Sequence, residues 1–172
     1  MEPTVNIALR AARKAGDIIA RASDDITRLR VEAKGKADFV TEVDLAAEEE
    51  IISSLQKTYP DHAFLCEESG RTGPEDADYL WIIDPLDGTS NFMRGIPHYS
   101  VSIACVARGK LEHAVILDPI RQEEFTASRG RGAQLNGRRM RVSNRSDLKE
   151  SLIGTGTPFL GHCDDRLDWY VK

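Results

Sequence analysis

Apolar positions recur at helical spacing over residues 5–22. Ile7, Ala11, Ala15, Ile18, Ile19 and Ala22 alternate with Arg10, Arg13, Lys14, Asp17 and Arg21, a pattern that predicts an amphipathic helix. Residues 26–40 are mixed and polar, include Lys34-Gly35-Lys36, and suit a short strand and a loop. A second helix is predicted at about 43–58, with Val43, Ala47, Ile51 and Leu55 as its buried stripe. Pro60 stops it. Ala63-Phe64-Leu65-Cys66 then reads as a short strand, and a polar loop with Gly70, Gly73 and Pro74 follows. Leu80-Trp81-Ile82-Ile83 is a continuous apolar run, the mark of a strand covered on both faces.

Beyond Asp84 the pattern is a meander. Residues 99–107 and 111–117 read as strands joined by Arg108-Gly109-Lys110, and 123–128 as another. Asn136-Gly137 is a hairpin turn signal, since both residues tolerate positive φ. Helices and strands followed by a meander predict a layered α/β domain with a mixed sheet over residues 1–148. Leu152 to Gly156 looks like a new strand and Asp164 to Val171 like the first turns of a helix, so 149–172 reads as the start of a second α/β domain.

Length and composition narrow this reading. At 172 residues the chain is one domain, or one domain and a piece of another. Hydrophobic residues make up 41% and charged residues 30%, which fits a folded core. The net charge of -5 disfavours a dedicated nucleic-acid binder, a local basic patch aside. No apolar run approaches the ~20 residues that span a bilayer. Arg10, Arg13, Lys14 and Asp17 interrupt any signal core, so a cytoplasmic location is expected, with no membrane partner. Cys66, Cys105 and Cys163 are widely spaced and form no C-x-x-C pair, so reduced thiols are expected rather than disulfides or a zinc site.

Candidate chemistry concentrates in Trp81-Ile82-Ile83-Asp84-Pro85-Leu86-Asp87-Gly88-Thr89-Ser90-Asn91-Phe92. A buried strand ends at Asp84, where sites collect in α/β sheets. Gly88 permits a sharp turn, and residues 89–91 suit the start of a short helix, which favours an anion. The short D-P-x-D-G element alone reads equally well as a turn with a helix cap. Glu67-Glu68 follows the strand at 63–66, so acids stand at two strand ends. Asp44 lies in Thr41-Glu42-Val43-Asp44, a capping-box pattern that needs no catalytic role. Two unit charges ~4 Å apart repel by ~4 kcal/mol at an effective dielectric of ~20. If Glu67, Asp84 and Asp87 converge, they require protonation or a cation. Hard carboxylate oxygens without His or Cys suit Mg²⁺, which also takes phosphate oxygens.

The stretch Trp81–Phe92, with Glu67-Glu68-Ser69, Phe39-Val40-Thr41-Glu42-Val43-Asp44, Ser128 to Ala133 and Leu135-Asn136-Gly137, resembles the inositol monophosphatase family, bacterial inositol-1-monophosphatases above all. Ser90 stands where many members have Thr. The resemblance implies a sugar-phosphatase fold of alternating α-β-α-β-α layers and Mg²⁺-dependent hydrolysis of a phosphate monoester, myo-inositol 1-phosphate first. It implies Glu67, Asp84 and the Leu86 carbonyl as ligands of one Mg²⁺, and Asp84 and Asp87 as ligands of a second. Thr89 paired with Asp44 corresponds to the dyad that orients and deprotonates the attacking water. The amides of Gly88 and Thr89 correspond to the phosphate cradle, and Lys34 to an accessory basic residue near the entrance. His98 and His113 match no catalytic position and are read as structural. Lithium inhibition and a homodimer are further implications.

The family supplies another metal-binding aspartate from a downstream W-D-x-A-A-G segment, whereas Trp81 and Trp169 here are not followed by Asp. The C-terminal part of the fold is therefore expected to be missing. Weak or absent activity and marginal solubility of the 172-residue chain are expected with it. Fructose-1,6-bisphosphatases and nucleotide 3′-phosphatases share the fold and the D-P-[IL]-D-G core, which keeps those substrates as alternatives. A different class of function is docking. Arg129, Arg131, Arg138, Arg139, Arg141 and Arg145 form a run without an acid. Close bacterial relatives are associated with ribosomal RNA transcription antitermination, so an RNA or a transcription partner is the alternative to a solvated hairpin end.

Overall fold

The computed structural model describes residues 2–26, 31–35 and 38–154. Helix α1 spans Pro3–Ser23 and α2 spans Glu42–Gln56. Strands β1 (Val31–Gly35) and β2 (Asp38–Thr41) form an antiparallel hairpin of their own. The remaining strands are β3 (Ala63–Cys66), β4 (Gly70–Thr72), β5 (Tyr79–Asp87), β6 (Ser100–Ala107), β7 (Lys110–Asp118), β8 (Glu123–Ser128), β9 (Gly132–Leu135) and β10 (Arg138–Arg139). They build one mixed sheet in the order β10-β9-β8-β7-β6-β5-β3-β4. The β3/β5 pair is parallel; its neighbours are antiparallel. A short helical turn, α3, covers Thr89–Phe92.

Both helices lie where their apolar stripes demanded. Val43, Ala47, Ile51 and Leu55 of α2 are all buried, as are Ala11, Ala15 and Ile19 of α1. Small residues let α1 come close to the sheet. A Cβ at Gly16 would stand 2.8 Å from Leu117 Cδ2 of β7. Against the helices pack Phe64, Trp81, Ile83, Val101, Ile103, Val115 and Leu117, the alternate positions of β3, β5, β6 and β7. Trp81 donates its indole N–H to His62 Nδ1 at 3.0 Å. Cys66 and Cys105 are buried and unpaired, and burial pushes both thiols up to about 11.

Several expectations need correction. The 80–83 run is not covered on both faces by the described residues: Ile82 and its neighbour Leu65 are both 40% exposed, and Ile116 on the same face is 43% exposed. The helices cover one face, and among the described residues no helix covers the other. β5 continues past Asp84 to Asp87, with an irregularity in its pairing to β6 between those residues. The 26–40 region contains two strands rather than one, and the polar loop at 70–72 pairs with β3 as an edge strand. Short polar strands carry too little alternation to be read from sequence. Residues 151–154 form no strand, and Leu152 is 97% exposed. The remainder of the expected 152–156 strand, the helix over 164–171, Cys163, Trp169 and the Lys34 side chain lie outside the described residues. The Asn136-Gly137 turn joins β9 to β10, with φ of 48° and 76°.

Candidate active site

Parallel pairing of β3 and β5 brings both C-terminal ends to one edge. Register runs from Ala63 opposite Leu80 to Cys66 opposite Ile83, and the Glu67 N–H donates to the Ile83 carbonyl at 3.1 Å. Glu67 therefore stands beside Asp84. The two side chains are near enough to act on each other, and two like charges at one strand end favour a proton or a cation between them. The Asp84 carboxyl is pushed up to about 7, first by burial, then by the Glu67 side chain and the charges of Glu67 and Asp87, against the pull of the Leu86 N–H. That N–H donates to Asp84 Oδ1 at 3.2 Å. Asp87 follows the pairing irregularity and is exposed. Bulges commonly re-aim side chains beside sites in this way. Among the described residues no three acidic, histidine or cysteine side chains close on one point.

The second half of the site comes from α2. Thr41 caps it: its hydroxyl accepts from Val43 N–H at 3.2 Å and Asp44 N–H at 3.4 Å. Asp44 Oδ2 accepts from the Thr41 N–H at 2.9 Å and from the Thr41 hydroxyl. The capping box is thus complete. Its other oxygen, Oδ1, is 2.9 Å from Thr89 Oγ1. The Thr89 hydroxyl also lies 3.0 Å from the Leu86 carbonyl, so one proton has two acceptors within reach. Asp44, only 1% exposed, is both a helix cap and the partner of Thr89.

Gly88 makes the turn possible at φ 103°. A side chain there would meet the His98 carbonyl at 3.0 Å and Tyr99 Cβ at 3.1 Å, so glycine is required twice over. Asn91 Nδ2 donates to the same His98 carbonyl at 2.8 Å and ties the turn down. The amides of Thr89 and Ser90 open α3 and have no intrahelical acceptor. His113 Nδ1 meets Ser128 Oγ at 3.0 Å, away from this corner.

Sequence reasoning overlooked Glu48. It is 3% exposed, and its carboxylate accepts from the backbone N–H groups of Glu68 and Ser69, each at 2.9 Å. The legible signal was a repeat: Val43-Asp44 and Ala47-Glu48 each set an acid beside a buried stripe residue, four positions apart. The arginine run divides in two. Arg129 pairs with Glu112 at 3.0 Å and Arg131 with Glu2 at 2.7 Å. Arg138, Arg139, Arg141 and Arg145 are exposed and form no ion pair among the described residues.

A mixed sheet under two helices, with oxygen-donor side chains at a parallel strand end and a glycine turn beside them, defines a layered α/β scaffold of the sugar-phosphatase type. The model of the inositol monophosphatase family matches residues 1–165, and the chain belongs to that family. The Nus factor SuhB of Pseudomonas aeruginosa is 58% identical over 174 residues, covering 100% of this chain and 64% of the relative. The crystal structure of extragenic suppressor protein SuhB from Bartonella henselae has a TM-score of 0.81 at 45% identity, covering 84% of this chain and 56% of that one. An IMPase/NADP phosphatase, solved in complex with Mg²⁺ and phosphate, has a TM-score of 0.64 at 30% identity over 72% of this chain and 48% of that one. The chain spans less than two thirds of the length of the curated relatives it matches.

Proposed function

We propose that this chain is the metal- and phosphate-binding part of a Mg²⁺-dependent phosphomonoesterase acting on myo-inositol phosphates. Residues 1–148 form that unit. The observation that carries the reading is the Glu67–Asp84 pair, two carboxyls brought to adjacent strand ends by the parallel β3/β5 pairing, with the charge of Asp87 acting on Asp84 as well. The donor set fits the ion: magnesium binds through one or two carboxylates, keeps its waters and takes phosphate oxygens, and needs no protein cage. Glu67, Asp84 and the Leu86 carbonyl would hold one ion and Asp84 with Asp87 a second. Bound there, magnesium acidifies water and neutralises charge on the departing alcohol oxygen.

The chain's own residues supply position and a proton path. Thr89 orients the attacking water through its hydroxyl oxygen while its hydrogen points to Asp44 Oδ1. Asp44, held by Thr41 on its other oxygen, receives that proton as Thr89 takes one from water. The amides of Gly88 and Thr89 face the phosphate oxygens. Lys34 is the accessory basic residue. The reaction is in line and leaves no phosphoenzyme. Lithium sensitivity, a homodimer and a cytoplasmic location belong to the same reading; no helix among the described residues is long and apolar enough to cross a membrane. The test is Mg²⁺-titrated phosphate release from myo-inositol 1-phosphate by the full-length protein. Asp84→Asn should remove it, and wild-type turnover in that variant would contradict the assignment.

One observation favours a second activity beside hydrolysis. Arg138 and Arg139 are exposed on the edge strand β10 without ion-pair partners among the described residues, and curated relatives bear the name Nus factor. We propose this edge as a contact for RNA or an acidic transcription partner. Reversing both charges should abolish that binding and spare hydrolysis; unchanged binding removes the idea.

A further inference from the structure

Glu48 lies one helical turn after Asp44 on α2, and the two acids share the buried side of the helix. A carboxylate is buried in a fold only when donors satisfy it. Here both oxygens are used. Oε2 accepts from the Glu68 N–H and Oε1 from the Ser69 N–H. These amides directly follow Glu67 in the chain, and the turn that holds them is otherwise partly open to solvent. Charge-assisted bonds of this kind are about twice as strong as neutral ones.

We propose that Glu48 is a positioning residue: it clamps the turn after β3 so that Glu67 is held beside Asp84. The proposal rests on the reading of Glu67 and Asp84 as magnesium ligands. Helix α2 then sets both halves of the site. Asp44 fixes Thr89 at the end of β5, and Glu48 fixes Glu67 at the end of β3, one turn apart on one rigid element. A site is usable only when its groups are held to about 0.5 Å, and groups that touch the ligands supply that hold. Asp44 and Glu48 both act on the site through backbone or side-chain donors, so neither needs to touch the ion.

The experiment compares the wild type, Glu48→Gln, Glu48→Ala and the exposed neighbour Glu49→Gln in the intact protein. Magnesium uptake is read by calorimetry, and exchange of the Glu68 and Ser69 amides by NMR. Glu48→Gln keeps one acceptor and turns an NH₂ group toward an N–H donor. Its Mg²⁺ dissociation constant should rise about 10-fold, and that of Glu48→Ala up to about 100-fold, while Glu49→Gln matches the wild type. The Glu68 and Ser69 amides should exchange slowly in the wild type and fast in both Glu48 variants. Wild-type magnesium affinity in a folded Glu48→Gln protein overturns the proposal while leaving the magnesium reading intact. No uptake by the wild type overturns that reading and the role of Glu48 with it. If Glu48→Ala does not fold, wild-type exchange decides: protected amides support the clamp, and exchange at the rate of an open loop refutes it.

Discussion

Two pairs of carboxylates stand near one another in this molecule, and the fold treats them in opposite ways. Asp44 and Glu48 are buried at 1% and 3% exposure, yet every oxygen has N–H or O–H donors. Their charge is spent inside the protein, on a helix cap, a threonine and a turn. Glu67 and Asp84 face each other instead. Burial and the neighbouring acid push the Asp84 carboxyl up to about 7. An acid surrounded by donors is satisfied by the fold itself. An acid that meets another acid at a strand end is waiting for a proton or a cation, and perturbed groups of that kind gather at functional sites.

Removing one member of each pair should separate these roles. Asp84→Asn is expected to lower Mg²⁺-dependent phosphate release about 100-fold or more in the full-length protein. In the metal-free protein at pH 8 the same change should raise the melting temperature, because it removes a carboxylate the fold holds at a disadvantage. Asp44→Ala should do the reverse for stability. It strips the partner from the Thr41 N–H, the Thr41 hydroxyl and the Thr89 hydroxyl, and should cost about 2–3 kcal/mol in urea unfolding along with the hydrolysis. Thr41→Ala, which leaves Asp44 with Thr89, should cost about 1 kcal/mol.

The pH dependence sharpens the contrast. Asp84 has an ordinary value of 3.8 and stands near 7 in the folded chain. Between those values the native state holds more protons than the unfolded chain, so stability falls as pH rises. The difference in unfolding free energy between the wild type and Asp84→Asn should therefore shrink or reverse from pH 4 to pH 7 and then level off. Millimolar magnesium should flatten that slope. The smallest effect belongs to the far edge of the sheet. Arg138→Glu with Arg139→Glu should change stability by no more than about 0.5 kcal/mol and leave phosphate release unaltered.

Much of this was legible before any coordinates, and for physical reasons. The four-residue stripe from Val43 to Leu55 has a single helical reading, and β3 and β8 span the expected 63–66 and 123–128. Asp84 and Glu67 stand side by side because β3 and β5 run parallel, and a family resemblance located Asp84 in the twelve-residue motif and Glu67 in Glu67-Glu68-Ser69. Asp44 could be read as a cap or as a partner of Thr89; the fold makes it both, one oxygen for each. Glu48 escaped notice because a helical glutamate is ordinarily solvated. Its meaning depends on a turn twenty residues away, which no local pattern reveals. The hairpin β1–β2 and the edge strand β4 escaped because three to five residues are too few to show a usable period. The open apolar face around Ile82 corrected the expectation of a strand covered on both sides, since a continuous apolar run reports what a strand tolerates and not which neighbours are on hand.

The most direct test is the ionisation of the Asp84 carboxyl, followed by carbon NMR on the labelled protein with and without magnesium. A midpoint near 7 without the ion, moving down sharply as magnesium is added, is the predicted result. A midpoint in the ordinary carboxylate range that magnesium leaves in place would contradict the claim that this acid pair is built to receive a cation.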